Sequence, residues 1–365
     1  MTGLLLALAA CGQEDPAPKK EITRVDVPDN AFKPVELETT IGGLVEEIRT
    51  TAPASMQVGV VLKTLVGFWK PVMIGANRAI GELGVPGAVV APTEGTPAEA
   101  TARQVEIVTE QRGSGYTALG IAPIAADLSP QIDAYADSGL PVVTIDSDLA
   151  DSRRGLYIGT LNREAGQTAG ETLRDLMPSS RRTGTVVLLG HDTEEDWPDG
   201  YQRTMGAKAV LEAAGYATIV HRTTWAEGGI ELDVATMKSD FANADPPVVG
   251  MLGLFSAAYR CAMAAEQLGK TGDDVTIVGF DFEPETVQYM RSGLIKATHA
   301  QRQYYMGYLV PYVLYSANAL GMERTKELLA PHMADEYRFN AGLDVVPANQ
   351  LDAYNDFLDS LGVGG

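Results

Sequence analysis

Aromatic and hydrogen-bonding side chains follow almost every strand that the sequence predicts. Phe68 and Trp69 come after the first predicted strand, and Trp225 follows a later one. Asp146 and Asp281 each come directly after an apolar run. Because ligands of open parallel sheets bind beyond the carboxyl ends of the strands, we expect these side chains to line one cleft.

The chemistry of this set suits a monosaccharide. A sugar ring has apolar C–H faces, which flat aromatic rings can cover, and a polar rim of hydroxyls. Aspartate carboxylates can accept hydrogen bonds from two hydroxyls each, and such charge-assisted bonds are about twice as strong as neutral ones. Arginine and glutamine side chains supply donors. The predicted ligand-binding residues are Lys63, Phe68, Trp69, Asp146, Ser147, Arg203, Trp225, Phe255, Asp281 and Gln301.

Other roles stay open for these residues. The aromatic rings could pack in the core or cover a sheet edge, and the two aspartates could cap the helices that follow them. Arg203 could pair with a nearby acid, and Gln301 could hold a hinge. Asp146 and Asp281 could also work as an acid and a base on a glycoside, although no third group is placed to tune one carboxyl.

The elements that must position these side chains follow a regular alternation. From Gln57 onward, short apolar runs alternate with helical patterns, which indicates parallel sheets covered by helices on both faces. The fold class is therefore α/β, with two similar Rossmann-like lobes. The first set of predicted strands is 57–62, 88–91, 118–122, 142–145 and 156–159, and the second is 185–189, 218–221, 248–251, 275–280 and 295–300.

The predicted organisation is a signal at 1–11, a tether and extension at 12–55, an N-terminal lobe at 56–160 plus 302–338, and a C-terminal lobe at 161–301 plus 339–365. Spacing of apolar residues predicts a helix around Thr39–Thr50 in the extension. The uncharged stretch Gln303–Met322 contains five tyrosines and a proline, so we expect a buried helix and not a membrane span.

Composition narrows the classes of function. The chain has 365 residues, enough for two lobes, and a formal net charge of −20, which argues against a nucleic-acid partner. Cys261 lies among small apolar residues and is expected to be buried. The four histidines have no metal-binding or catalytic spacing, and no phosphate-binding glycine loop is present, so no metal or cofactor is expected.

The amino-terminal residues predict a lipid anchor. An apolar run from Leu4 to Ala10 ends in Leu8-Ala9-Ala10-Cys11, which resembles the lipobox of bacterial lipoproteins. In such proteins the signal is removed before the cysteine, and the cysteine is acylated. Lipidation of Cys11 would tether the protein to a membrane surface, in the periplasm or on the outer cell surface.

Several short motifs together resemble the type I periplasmic sugar-binding proteins of the ribose- and galactose-binding kind. The resemblance covers most of the chain from about Gln57 onward. Its order and spacing are more specific than any single motif. The motifs are Phe68-Trp69 followed by Gly75-Ala76, Pro141-Val142 leading to Asp146, Arg203-x-x-Gly206, Val278-Gly279-Phe280-Asp281, and a strand ending in Gln301.

This resemblance implies a monomeric receptor, not an enzyme, that binds a sugar between hinged lobes and delivers it to the permease of an ABC importer. It also implies that the lobes are joined by hinge crossovers, which we expect near 159–162, around Gln301 and near 339–343. Three positions depart from the family pattern: Val66 and Ser147 replace an Asn and an Arg, and Leu254–Ser256 replaces a segment that carries Asn. We therefore expect a less polar pocket than a ribose site. A sensory sugar co-receptor without transport stays open. A transcription regulator does not fit, because residues 1–55 show a lipobox and not a basic DNA-binding unit.

Overall fold

Helices and strands alternate along most of the chain in the computed structural model, which describes residues 19–51, 54–93, 95–195 and 197–364. The helices are α1 (Val35–Arg49), α2 (Trp69–Leu83), α3 (Pro97–Gly113), α4 (Ser129–Asp137), α5 (Asn162–Leu176), α6 (Pro198–Ala213), α7 (Gly229–Asn243), α8 (Tyr259–Gln267), α9 (Pro284–Arg291), α10 (Gln303–Leu320), α11 (Met322–Leu329) and α12 (Leu351–Ser360). The strands are β1 (Val58–Val61), β2 (Gly87–Val90), β3 (Ala118–Ile121), β4 (Val142–Ile145), β5 (Leu156–Gly159), β6 (Thr185–Gly190), β7 (Ala217–Arg222), β8 (Val248–Gly253), β9 (Thr276–Phe280), β10 (Ile295–Gln301), β11 (Arg338–Asn340) and β12 (Leu343–Pro347).

The strands form two sheets of the same design. Among the described residues, one sheet has the order β11-β5-β4-β3-β1-β2 and the other β12-β10-β9-β8-β6-β7. Each pairing between two of these strands is parallel except that of β10 with β12. The predicted α/β class with two similar lobes is confirmed, although the antiparallel β12 was not expected. The second lobe repeats the first, so that β4 corresponds to β9 and β5 to β10.

Burial explains why the central strands read as unbroken apolar runs. Every residue of β1, β3, β4, β5, β6 and β9 is buried, because helices cover both faces of each sheet. The edge strands β2 and β7 are only partly buried. The carboxyl ends of the central strands are the places where polar side chains can reach a cleft.

From β1 onward, the described part of the chain passes between the two sheets three times. It leaves the first sheet after β5, returns after β10, and crosses again between β11 and β12. Because β11 pairs with β5, the third crossing follows Asn340, whereas the sequence placed the C-terminal lobe from residue 339. Arg302 lies at the second crossing, and its guanidinium Nε donates to Asp344 Oδ1 at 2.9 Å, which ties the second crossing to the start of β12.

The extension before β1 is folded on the first lobe. Its helix begins at Val35, four residues before the expected start, and ends at Arg49. It packs against α10 and α11. Helix α10, which is the predicted buried helix, has residues 304–316 buried despite Pro311 within it. None of the helices in the described ranges combines the length and apolar character that crossing a bilayer requires.

Glycine allows two helix pairs to approach closely. An added Cβ at Gly206 of α6 would lie 2.1 Å from the carbonyl oxygen of Arg163 in α5, and one at Gly166 of α5 would lie 1.9 Å from the carbonyl oxygen of Arg203 in α6. The first lobe repeats this arrangement between α2 and α10, where Gly75 and Gly307 face the partner's backbone. This contact therefore fixes the position of α6 and of the side chains it carries.

Candidate functional site

The side chains that follow the central strands of both lobes meet at one cavity. Its volume is about 190 Å³. The structure places all ten of the predicted residues around it, namely Lys63, Phe68, Trp69, Asp146, Ser147, Arg203, Trp225, Phe255, Asp281 and Gln301. They converge because each lies at the carboxyl end of a parallel strand, just beyond it or on the helix after it, and these ends point to the same side of each sheet.

Asp146 and Asp281 occupy equivalent positions in the two lobes. Each follows a central strand, β4 or β9, and each has a left-handed backbone, with φ of 62° and 65°. Their backbone amides donate to the carbonyls of Ile158 (3.0 Å) and His299 (2.8 Å) on the neighbouring strands. Non-glycine residues adopt this conformation at some cost, and Asp tolerates it better than most. The turn aims both side chains out of the sheets.

Asp281 is held within a hydrogen-bond network. The side chain is buried, and Ser256 Oγ donates to its Oδ2 at 3.0 Å, while Gln301 Nε2 donates to its Oδ1 at 3.1 Å. Burial raises the pKa of Asp281, and the nearby Arg203 opposes this effect. Gln301 Oε1 is buried and has no hydrogen-bond partner among the described residues. A ligand hydroxyl could satisfy this acceptor.

Arg203 is fixed before any ligand arrives. Its Nε and Nη2 donate to Asn162 Oδ1 at 3.0 and 2.6 Å, and its Nη1 donates to the carbonyl of Leu254 at 3.0 Å. The guanidinium lies 4.0 Å from the centroid of the Phe280 ring and 5.2 Å from that of Phe255. Burial lowers the pKa of Arg203, and the carboxylates of the site oppose this. The result is an ordered donor between two aromatic rings.

The first lobe contributes an aromatic pair and a cation. Phe68 and Trp69 pack edge to face with ring centroids 5.2 Å apart. Lys63 Nζ donates to Ser147 Oγ at 2.6 Å and lies 5.7 Å from the Trp69 ring centroid. The partly buried carboxyl of Asp146 lies near this ammonium. Burial raises the pKa of Asp146 to about 6, and Lys63 opposes the shift.

Four further residues line the cavity that the sequence analysis did not assign to it, namely Asn162, Trp197, Asp199 and Ser256. Trp197 packs on Phe255 with ring centroids 4.4 Å apart, which extends the aromatic wall of the second lobe. Asp199 lies in the first turn of α6, and burial raises its pKa. The site thus holds three carboxyl groups and two cationic side chains.

Trp225 lies at the rim of the cleft. It is 55% exposed, and the guanidinium of Arg260 lies 5.5 Å from its ring centroid. Arg260 Nη1 donates to the buried carboxylate of Asp233 at 2.6 Å. The ring therefore has a structural contact on one face and remains available on the other.

The structure describes one of the two cysteines, Cys261. Cys11 and the predicted lipobox lie outside the described residues. Cys261 is buried, as predicted, and burial raises the pKa of its thiol to about 12, which makes it unreactive. Within the described ranges, no group of three or more His, Cys, Asp or Glu side chains is arranged to hold a metal ion.

Comparison with known families agrees with this architecture. The sequence profile of the periplasmic binding protein domain matches residues 58–320. The chain belongs to the periplasmic binding protein domain family. No curated protein matches the chain.

Solved structures with the same fold show how much of the chain this family relation covers. A sugar-binding protein of a sugar ABC transporter from Bacillus halodurans has a TM-score of 0.68 at 20% identity and covers 82% of this chain and 100% of its own. A periplasmic ribose ABC transporter protein from Conexibacter woesei has a TM-score of 0.70 at 14% identity, with coverage of 84% and 96%. XylFII, in a complex with LytSN, has a TM-score of 0.60 at 19% identity, with coverage of 81% and 99%. These likenesses establish the fold.

Proposed function

We propose that this periplasmic binding protein is a receptor that binds one monosaccharide between its two lobes. The observation that carries the proposal is a single small cavity bounded by aromatic rings from both lobes and by ordered hydrogen-bonding groups. The rings of Trp69 and Trp197 can cover the apolar faces of a sugar. Ligand pockets for larger molecules have about 300–1,000 Å³, so the cavity of about 190 Å³ suits a small ligand.

The polar groups suit hydroxyls, because a hydroxyl both donates and accepts. Asp146 and Asp281 act as acceptors, Lys63 and Arg203 act as donors, and Gln301 Oε1 gains the partner it lacks within the described part of the protein. A site with ordered polar groups rejects a ligand that lacks the matching hydroxyls, since these groups would be left unpaired. Sugar binding by the two similar structures named for sugar-binding and ribose transport supports the same class of ligand.

A thermal-shift screen across pentoses, hexoses and linear polyols, followed by calorimetric titration, tests this proposal. A ligand at about 100 times its Kd stabilises the fold by roughly 2.7 kcal/mol, which raises the Tm measurably. The variant that tests the site is Asp281→Asn, because Asn accepts a φ near 65° and keeps the shape of the side chain.

Asp281→Asn should fold and bind the sugar about 10- to 100-fold more weakly than the parent, because hydrogen bonds to a charged group contribute about 1.5–3 kcal/mol each. The proposal fails if no monosaccharide in the panel raises the Tm. The assignment of the site fails if Asp281→Asn binds the sugar as tightly as the parent.

Delivery to an ABC importer and anchoring through Cys11 are the cellular part of the proposal. The receptor acts as a monomer in the periplasm or on the outer cell surface, tethered to the membrane and read by a permease. Metabolic labelling with a fatty-acid analogue tests the anchor. The parent should be labelled and recovered with membranes, whereas Cys11→Ser should be neither. Equal labelling of both would contradict the anchor.

A sensory co-receptor without transport is the second candidate. The similar protein XylFII occurs in a complex with LytSN, which favours retaining this alternative. Sugar uptake by cells lacking the receptor separates the two, because only loss of a transport receptor abolishes uptake. We do not propose a glycosidase, since both oxygens of Asp281 accept hydrogen bonds within the site and neither is positioned as a free acid. Incubation with a panel of glycosides should give no turnover.

A further inference from the structure

The segment before α1 is fixed to the first lobe. We refer to residues 19–34 as the strap. Arg24 Nε donates to the hydroxyl of Tyr308 on α10 at 2.9 Å, and the backbone amide of Val25 donates to Glu82 Oε1 on α2 at 3.1 Å. Arg24 also forms an ion pair with Glu38 of α1. The strap lies outside residues 58–320, the part that the family profile matches.

The same strap reaches the second lobe a few residues later. Asn30 Nδ2 donates to the carbonyl of Ala353 at 3.2 Å, and Phe32 packs edge to face on Tyr354 with ring centroids 5.0 Å apart. Ala353 and Tyr354 belong to α12, which packs on β12 and α9 of the second lobe. Phe32 is 8% exposed and Tyr354 2%, so this is a buried contact. Asn30 Oδ1 also accepts from the amide of Phe32 at 2.9 Å, which fixes the local turn.

The contact continues to the loop that carries Asp281. Tyr354 also packs edge to face with Phe282, with ring centroids 4.8 Å apart. Phe282 is the next residue after Asp281, whose backbone is held at a φ of 65°. Three aromatic rings therefore lead from the strap to the turn that presents a site carboxylate. Phe32 is connected to that turn through the rings of Tyr354 and Phe282 and is not among the residues that line the cavity.

We propose that the strap is a fourth connection between the lobes, which restrains their relative orientation and supports the Asp281 turn from behind. The strap is fixed to α2 and α10 at one end and to α12 at the other. A change in the angle between the lobes must therefore alter the contacts of Asn30 or Phe32. The three crossings alone leave a hinge, whereas a further buried link stabilises a subset of its positions.

The distance between the lobes tests this proposal, with or without a sugar. Fluorophores on azido amino acids at the exposed positions Asp127 and Glu231, one on each lobe, report the distance by single-molecule energy transfer in the full chain. Phe32→Ala should broaden the distance distribution of the protein without sugar, because an aromatic pair and its burial change an equilibrium constant by about tenfold. Phe32→Leu, which keeps apolar bulk, should broaden it less.

The matched control is Ile41→Ala, which truncates a buried side chain of α1, the helix that packs on α10 and α11 of the first lobe. It should lower the Tm without broadening the distribution. Asn30→Ala, which removes the two partly buried hydrogen bonds of this side chain, is the second variant if Phe32→Ala does not fold. A parent-like distribution in the Phe32 and Asn30 variants, or equal broadening by Ile41→Ala, would overturn the proposal.

The proposal goes beyond sugar binding and can fail separately from it. Where a sugar is found, Phe32→Ala should also change its Kd about three- to tenfold, with the side chains of the cavity intact. If Phe32→Ala broadens the distance distribution but the parent binds no sugar, the role of the strap is supported and the proposed ligand is rejected. Unchanged distances with normal sugar binding would reject the strap and retain the ligand.

Discussion

At the scale of single residues, the two left-handed aspartates combine strain with buried charge. Asp146 and Asp281 each leave a strand with a positive φ and have a pKa raised by burial. Neither feature stabilises the fold. Both are expected where the chain is shaped by a ligand and not by its own packing, since strained turns and shifted pKa values concentrate at functional sites.

The pKa of Asp146 makes a prediction about stability. Its value of about 6 exceeds the value of about 3.9 in an unfolded chain, so the folded protein binds more protons between these pH values. The buried charge therefore costs stability above pH 6, and this cost vanishes as the pH falls toward 4. Asp146→Asn should raise the free energy of unfolding by about 1–3 kcal/mol at pH 7 and by much less at pH 4.5.

Urea denaturation at the two pH values measures this effect. Asp127→Asn, at an exposed position, is the control and should change stability little at either pH. A gain of equal size at both pH values would show that burial of the charge is not the cause. The same Asp146→Asn exchange should weaken sugar binding, because it removes a charged acceptor.

One rule located the residues of the cavity from the sequence, and their binding of a ligand stays a prediction. All ten predicted residues line the cavity, because each lies at the carboxyl end of a strand, in the loop after it or on the helix that follows. The same rule applied to β5 would have found Asn162. Trp197 and Asp199 were missed because a loop of seven residues separates β6 from α6, and the sequence analysis looked past it to Arg203.

At the scale of elements, the site depends on how closely α5 and α6 pack. Helix α6 carries both Asp199 and Arg203, and Gly206 lets it approach the backbone of α5. A side chain there must displace α6 and the donors it presents. We expect Gly206→Ala to lower the free energy of unfolding by about 1–3 kcal/mol and to weaken sugar binding as well.

Gly43→Ala is the control for this prediction. Gly43 also lies within a helix, but an added Cβ there meets nothing within 4 Å, so the exchange should be neutral or stabilising by up to about 1 kcal/mol. Thermal unfolding and calorimetric titration of both variants measure the two effects. Normal affinity in Gly206→Ala would mean that the position of α6 does not matter to the site.

Element boundaries followed from the sequence wherever the apolar pattern was regular. β4 and β5 were predicted to the residue, and the other predicted strands differ by one or two residues at an end. The short strands β11 and β12 were not predicted, because Arg338–Asn340 has no apolar run and Leu343–Pro347 has a buried aspartate within it. Their places are set by pairing with β5 and β10, which are distant in sequence.

At the scale of the whole molecule, an ion pair with a buried carboxylate lies where the chain crosses between the lobes. Arg302 at the second crossing pairs with Asp344 of β12, whose side chain is only 5% exposed. Burial raises the pKa of Asp344, and Arg302 opposes this shift. The pair therefore links two of the three crossings. The buried Asp344 carboxylate depends on the guanidinium of Arg302 to offset the cost of its burial.

Removing one member of this ion pair should cost more stability than removing both members. Arg302→Met leaves the Asp344 carboxylate buried and uncompensated, and we expect it to lower the free energy of unfolding by about 3 kcal/mol or more. The double variant Arg302→Met with Asp344→Asn should recover most of the loss. Chemical denaturation of the parent, both single variants and the double variant measures the coupling. A double variant as unstable as Arg302→Met would contradict this account.

The strap marks the limit of sequence-based inference for the whole molecule. A helix in the extension was predicted from its apolar spacing, but its purpose could not be read. The contacts of Asn30 and Phe32 with α12 join residues more than 300 positions apart. No local pattern encodes such a pairing, because it depends on how both lobes have already folded.

The left-handed turns at positions 146 and 281 also constrain how this protein could change the ligand that we propose for it over evolutionary time. Only Asn and Gly tolerate that backbone as well as Asp does, and both lie a single base change from an aspartate codon. Every other replacement must first remodel the turn. New ligand preferences should therefore arise first through substitutions at the remaining residues of the cavity, while these two positions vary only among Asp, Asn and Gly.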